Sequence, residues 1–412
     1  FVRALILGAF LLFLFTSCGS NEKKLLSKDV LFTLDYGKME DQIDLYKKPG
    51  VPFTQKTRIY MRDGIFYISN GNSNKVMEFT SYGDILSLYY NEKQNPEVVM
   101  LRRDGEEGEK ANRKAYGYPF REVGEVAVNS RKVLLVEDKV GERQAEFDEN
   151  IGAMLNRVVL RFDKEGNFLD YLGQEGSGGT PFPFIHDIHV TDNDEIVVVS
   201  RSVHHWLLYW FSPGGALLYK LKLAVDNLPV PEGKTLVPSL SEVMVDRNEP
   251  LVYLKIEYYG NGEDSLSPEE KKSDAPIRNI HYKRSLIWFF NVKEEKYVGN
   301  VEVPVKKIEG KTSEFEESRE MYRIYDYIGM SEENTFYLIT PQADNTFELL
   351  LLERNGTVVS RRHIRMIEKK IYYRDLYVTS SGVLTALLAK DEQVEIAWWR
   401  SDHLLEAKDE NM

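Results

Sequence analysis

Cysteine is almost missing from this sequence: Cys18 is the only one in 412 residues. No disulfide can form within the chain, so stability has to come from a buried core rather than cross-links. Basic charge is also in short supply. Lys and Arg number 53 against 65 Asp and Glu, for a formal net charge of −12. A duplex calls for a basic footprint, so a nucleic-acid partner is not expected. After the N-terminus there is no further long apolar run of the ~20 residues that a membrane helix needs. Helical periodicity is scarce throughout. No Gly-x-Ser-x-Gly elbow occurs, which removes the usual strand–turn–helix setting for acyl transfer. The Gly-rich stretch "GQEGSGGTPFP" (173–183) lacks the Lys-Ser/Thr ending of a phosphate-binding loop and precedes a strand, so it reads as a connection.

What is there begins with "FVRALILGAFLLFLFTSC". Arg3 supplies a basic start, Ala4 to Phe15 form an unbroken apolar stretch, and the small residues Thr16 and Ser17 precede Cys18. The apolar stretch is too short to span a bilayer and matches a secretory signal with its cleavage site. The chain opens on Phe, so a residue or so is expected to precede it. Residues 1–17 are taken as the signal peptide, 18–27 as a polar tether and 28–412 as the folded body. With 42% hydrophobic residues, that body has ample material for a core.

The body repeats itself, and a repeat has to be recognised before secondary structure is assigned. "DIHVTDNDEIVVV" from Asp187 is echoed by "RIYMRDGIFYISN" (Arg58), "EVAVNSRKVLLV" (Glu125), "EVMVDRNEPLVYL" (Glu242), "DYIGMSEENTFYLIT" (Asp326) and "DLYVTSSGVLTALL" (Asp375). Each is an alternating apolar run, a polar turn and a second apolar run, the pattern of paired strands. The first five continue with two more strands around a short turn, as in "HWLLYWFSPGGALLYKLKL". Six units of four antiparallel strands predict an all-β fold, a six-bladed β-propeller. The sixth unit supplies only three strands, ending at "VEIAWWRSDHLL"; "KDVLFTLDY" (28–36) is expected to fill the gap and cover the last open edge.

Residues 158–200, "VVLRFDKEGNFLDYLGQEGSGGTPFPFIHDIHVTDNDEIVVVS", resemble the NHL-type repeat of six-bladed propellers. An apolar strand ends in Phe-Asp before a Gly turn, a Gly-rich loop leads to Pro, and an aliphatic strand and polar turn follow. The sequence from Thr16 to Cys18 is similar to the lipobox of bacterial lipoproteins, which implies that Cys18 becomes a lipidated N-terminus. Together these imply an exported, membrane-anchored envelope lipoprotein, on the periplasmic side or the cell surface. Several acyl chains give stable anchoring, at about 0.8 kcal/mol per buried methylene.

Four charged, aliphatic-poor stretches interrupt the repeat, at 102–117, 137–156, 260–284 and 305–320. They are expected to be surface loops decorating one face of the disc.

The residues opening the six units, Arg58, Glu125, Asp187, Glu242, Asp326 and Asp375, are expected to ring the mouth of the central channel. Five acids and one base would concentrate negative potential and favour a cation or a basic segment of a partner. They would equally serve as hydrogen-bond locks between blades. Oxygen-rich rings suit calcium; no other cofactor is indicated. His186 and His189 lie three apart on a strand and point to opposite faces, so they cannot chelate together. His204 and His205 also diverge, leaving a cross-strand pair such as His189 with His204 to consider. The aromatic stretches 204–211, 286–290 and 396–400 fall in third strands and read as core. A protein or peptide partner in the envelope, bound without catalysis, is the function expected. The alternative is a hydrolase or lyase acting on a saccharide, lactone or peptide at the channel mouth.

Overall fold

Short β-branched and aromatic runs punctuated by tight turns fold into six antiparallel sheets around a central channel. The computed structural model describes residues 25–46, 55–103, 113–232, 236–261, 280–308, 321–342, 345–366 and 370–406. Cys18, the signal segment and most of the tether lie outside them. The third blade shows the plan: Phe184–Val190, Ile196–Arg201, His205–Phe211 and Leu217–Ala224, laid side by side in chain order. The inner strands of the other blades are Thr57–Arg62, Val126–Val128, Val237–Val245, Asp326–Met330 and Tyr373–Val378.

Left-handed residues close most of the turns after the inner strands: Asp63, Lys132, Asp194, Asn334 and Gly382, at φ between 52° and 87°. Polar residues and glycine tolerate that region best. Gly329 is a different case. At φ 156° in the fifth inner strand, a Cβ there would sit 2.4 Å from the Cβ of Val378 in the next blade. Only glycine lets the two strands approach so closely.

The ring closes as expected. Asp29–Leu34 pairs antiparallel with Val394–Trp399, completing the sixth blade from the other end of the chain. A strand edge left open there would be a template for association. The tether's last residues are held too: Leu26 N–H donates to the carbonyl of His363 in the fifth blade at 2.8 Å.

The core lies between blades rather than within them. One apolar cluster joins blades 1, 2 and 3 through residues such as Tyr67, Val159 and Val198. Others join blade 6 to 1, 3 to 4, 4 to 5, and 5 to 6. Second strands are therefore apolar on both faces; all six residues of Leu384–Ala389 are buried. Trp206, Trp210 and Trp399 are buried in third strands, as core residues should be.

The interruptions differ from simple loops. Within 102–117, Lys114–Gly117 runs parallel to the outer strand Ile85–Tyr90 and Arg102–Arg103 lies outside it, so the chain widens blade 1. Backbone groups that would face water in a loop are satisfied by the sheet edge instead. The 137–156 stretch carries a hairpin, Glu146–Asp148 with Ala153–Leu155. Lys306–Ile308 pairs with Met321–Arg323. Residues 262–279 and 309–320, the greater part of the last two interruptions, lie outside the described residues.

Candidate functional site: a channel rimmed by acids

Each blade's inner strand lines the channel, and the residues picked out by the repeat lie on or beside these strands. Arg58, Glu125, Asp187, Glu242, Asp326 and Asp375 all line one cavity of about 450 Å³. That volume is in the range that holds small ligands or a short peptide. The six residues do not form an even ring, however. They divide into a paired arc and an open arc.

The paired arc spans blades 6, 1 and 2. Arg58 places Nε 3.0 Å from Glu125 and Nη1 2.9 Å from Asp375. Asp375 also accepts the Ile59 N–H at 2.7 Å. Lys56 stands behind, 2.9 Å from Glu125 and 2.8 Å from Glu137, and donates to the carbonyl of Ile185 in blade 3 at 2.6 Å. These carboxylates are nearly sealed from water, with Glu125 7% and Asp375 10% exposed at the side chain. Burial, with Glu125 nearby, pushes the Asp375 carboxyl up to about 6 against the pull of Arg58 and the Ile59 N–H. With both oxygens engaged, Asp375 is a lock between first and last blades rather than a proton donor for a ligand.

The open arc spans blades 3, 4 and 5. There the inner strands are bulged, between Ile185 and Asp187, Leu240 and Glu242, and Tyr327 and Gly329. A bulge re-aims the side chains around it, and the rim acids here face the cavity. Asp187 is 46% exposed at the side chain, and Asp326 is exposed. Enclosure by the channel raises the Asp187 carboxyl, but His189, His186 and Arg58 outweigh it and leave the group below the usual carboxylate range. Asp326 moves the other way. Its partial burial raises it, Lys255 draws it down, and the neighbouring Glu257 and Glu242 add to the rise. Among the described residues, Asp326 makes no ion pair.

The bulged residue of blade 3, His186, reaches across to blade 4, with Nε2 2.8 Å from Glu242 Oε1. Burial lowers the imidazole, but the hydrogen bond and the charge of Glu242 prevail and raise it above its ordinary value. His189 also lines the channel, 3.4 Å from Asp187. His204 lies at the connection to the third strand, two strands away from His189, so the two are not paired. Among the described residues no group of three His, Cys, Asp or Glu side chains is arranged to hold a metal ion.

Asp326 stands one step above the register of its counterparts. Val190, Val245 and Val378 end their inner strands three residues after Asp187, Glu242 and Asp375; Met330 does so three after Tyr327. Tyr327 therefore takes the equivalent position, with Asp326 higher on the rim. Residues that the repeat did not single out lie below. Tyr60 and Tyr377 pack with ring centroids 4.6 Å apart, and Arg247 enters from the turn of blade 4. Lys56 lies just ahead of the strand that carries Arg58, two residues before it, and the repeat did not single it out.

Fold and site together define a six-bladed β-propeller whose channel mouth is charged asymmetrically. No protein-family model matches the sequence, and no curated protein matches it. Solved structures do. The chain is similar to the Dos1 propeller at 12% identity, covering 82% of this chain and 72% of that one, with a TM-score of 0.35. A gluconolactonase of Xanthomonas campestris matches at 10% identity, 91% and 97% coverage and a TM-score of 0.39. The β-propeller domain of Cps50 (Swd1) from Myceliophteria thermophila matches at 6% identity, 90% and 99% coverage and a TM-score of 0.42. These likenesses are weak, and the blade count rests on the strand ladders themselves.

Proposed function

We propose that this protein is an NHL-type propeller lipoprotein of a bacterial envelope, anchored through Cys18, that binds a basic segment of a protein or peptide partner at its channel mouth without turnover. The open arc carries the reading. Asp187 and Glu242 face the cavity with His189 and His186 as their ion-pair partners and Asp326 has none among the described residues, whereas Glu125 and Asp375 are matched by Arg58 and Lys56. Carboxylates left facing a partly enclosed space attract cations more strongly than the same groups in open water. A blade-locking role accounts for the paired arc and for the His186–Glu242 contact, and leaves Asp187 and Asp326 without such a contact among the described residues.

The test combines two measurements. The D187N/E242Q/D326N variant, shown folded by circular dichroism, is compared with the parent chain for binding Lys- and Arg-rich peptides and for partner recovery from envelope extracts. Loss of both is expected, steepest at low salt. Undiminished binding by the folded variant would remove the mouth from the reading. Metabolic labelling with palmitate, with and without Cys18→Ala, tests the anchor separately. Label that persists in C18A, or none in the parent, would overturn the address.

A further inference from the structure

Arg247 lines the same channel, and its setting differs from that of most other enclosed cations, the buried Lys75 on the Met39 carbonyl excepted. Arg58, Lys56, Arg157, Arg161 and Lys255 each face a carboxylate within 3.7 Å. Arg247 has no carboxylate at ion-pairing distance among the described residues. Its Nε donates to the carbonyl of Met330 in blade 5 at 3.2 Å. Its side chain also hydrogen-bonds the Tyr377 phenol, the charges of Tyr60, Tyr327 and Asp192 act on it, and the Asp192 N–H donates to its backbone carbonyl at 2.9 Å. The adjacent Asp246 is fully committed elsewhere, accepting from Tyr253 Oη and from the N–H groups of Asn248 and Glu249. A partly buried guanidinium whose partners are a carbonyl and a phenol keeps donors free for an anion. It lines the cavity that the rim acids line, and its planar fork matches a carboxylate.

We infer that the channel is polarised, with Arg247 as a carboxylate subsite below the acids, and that it takes the C-terminal end of a peptide carrying a basic side chain. The terminal carboxylate pairs with Arg247, and the basic side chain reaches Asp187, Glu242 and Asp326. Glu242 and Arg247 are five residues apart at the end of one strand, about 16 Å of extended chain at most. An extended peptide of three or four residues covers about 10–14 Å, and its basic side chain reaches across the remainder. The inference rests on the proposed binding role of the mouth and adds a direction and an end-group requirement to it.

Acetylated tetrapeptides with Lys at each of the first three positions, prepared as free acids and as C-terminal amides, test it by calorimetry on the full chain. At least one free acid should bind, and its amide should bind about tenfold or more weakly. In R247Q the acid and the amide should bind alike, while R247K should keep part of the difference. Equal binding of acid and amide to the parent chain overturns the Arg247 subsite and leaves the acidic mouth standing. Absence of binding by every peptide overturns both. The parent-chain comparison needs no variant, so poor folding of R247Q does not remove the test.

Discussion

Arg58 Nη1 stands 2.9 Å from Asp375 Oδ1, joining the inner strand of the first blade to that of the last across 317 residues of sequence. The same guanidinium holds Glu125 in the second blade. Replacing Arg58 with Met would leave the nearly buried Asp375 without a cation and Glu125 with Lys56 alone. Part of the guanidinium faces the channel, which screens the loss, so the cost should be about 1–3 kcal/mol. Urea denaturation measures it, and R58K should recover some of it. An unchanged midpoint for R58M would mean that the closure contact contributes nothing to stability.

The N-terminal strand closes the ring through backbone hydrogen bonds and the burial of Leu34 against blades 1 and 6. Deleting residues 28–36 should leave Val394–Trp399 as an open edge. The truncated chain should melt at lower temperature and associate through that edge, visible as concentration-dependent light scattering. A monomeric truncation with an unaltered melt would show the strand to be dispensable.

Glu242 favours the charged form of the His186 imidazole and raises it above its ordinary value. A folded pKa raised above 6.5 means that the pair's contribution is fully present below pH 6.5 and is lost as pH rises through the folded value. Titration of the His186 ring protons by NMR should show a midpoint above 6.5. In E242Q the midpoint should fall, since burial then acts with less opposition. A midpoint that does not move in E242Q would break the link between the two residues.

Asp375 titrates near 6 in the folded chain, against an ordinary value of 3.8. Because the folded value is the higher, the native state binds the proton more tightly. The associated stability is present at acid pH and is lost as pH rises through about 6. Relative to D375N, the parent chain should therefore gain stability as pH falls from 7 towards 4, by an amount on the order of 3 kcal/mol at most. Parallel urea curves at pH 7, 6 and 5 give the difference. A gap independent of pH would refute the assignment.

Much of this architecture is legible along the chain because strands alternate with a period of two and each unit repeats the same turn. The fourth strand of the last blade was legible by subtraction: three strands at one end, one unclaimed strand at the other. The 102–117 stretch was harder. Lys114–Gly117 has too little apolar character to announce a strand, and it is one only because the edge of blade 1 offers unpaired backbone groups beside it. Asp326 was off register because the rim position of blade 5 belongs to Tyr327, and an acid one residue away imitates the repeat.

The rim shows the same boundary between chain and fold. The chain by itself determined that the unit recurs six times and that acids recur on or beside its inner strands, since these follow from composition and local periodicity. Which of those acids are neutralised was decided only in three dimensions. Lys56, Arg58 and His186 meet partners 69 and 81, 67 and 317, and 56 residues away. The bulges that tilt blades 3, 4 and 5 towards the cavity leave no clear mark in sequence. Long-range charge pairing depends on how blades stack, and no local pattern encodes that distance. The guanidinium of Arg247 is the sharpest case: in the sequence it is one arginine in a polar turn, and only the closed ring gives it a channel to face.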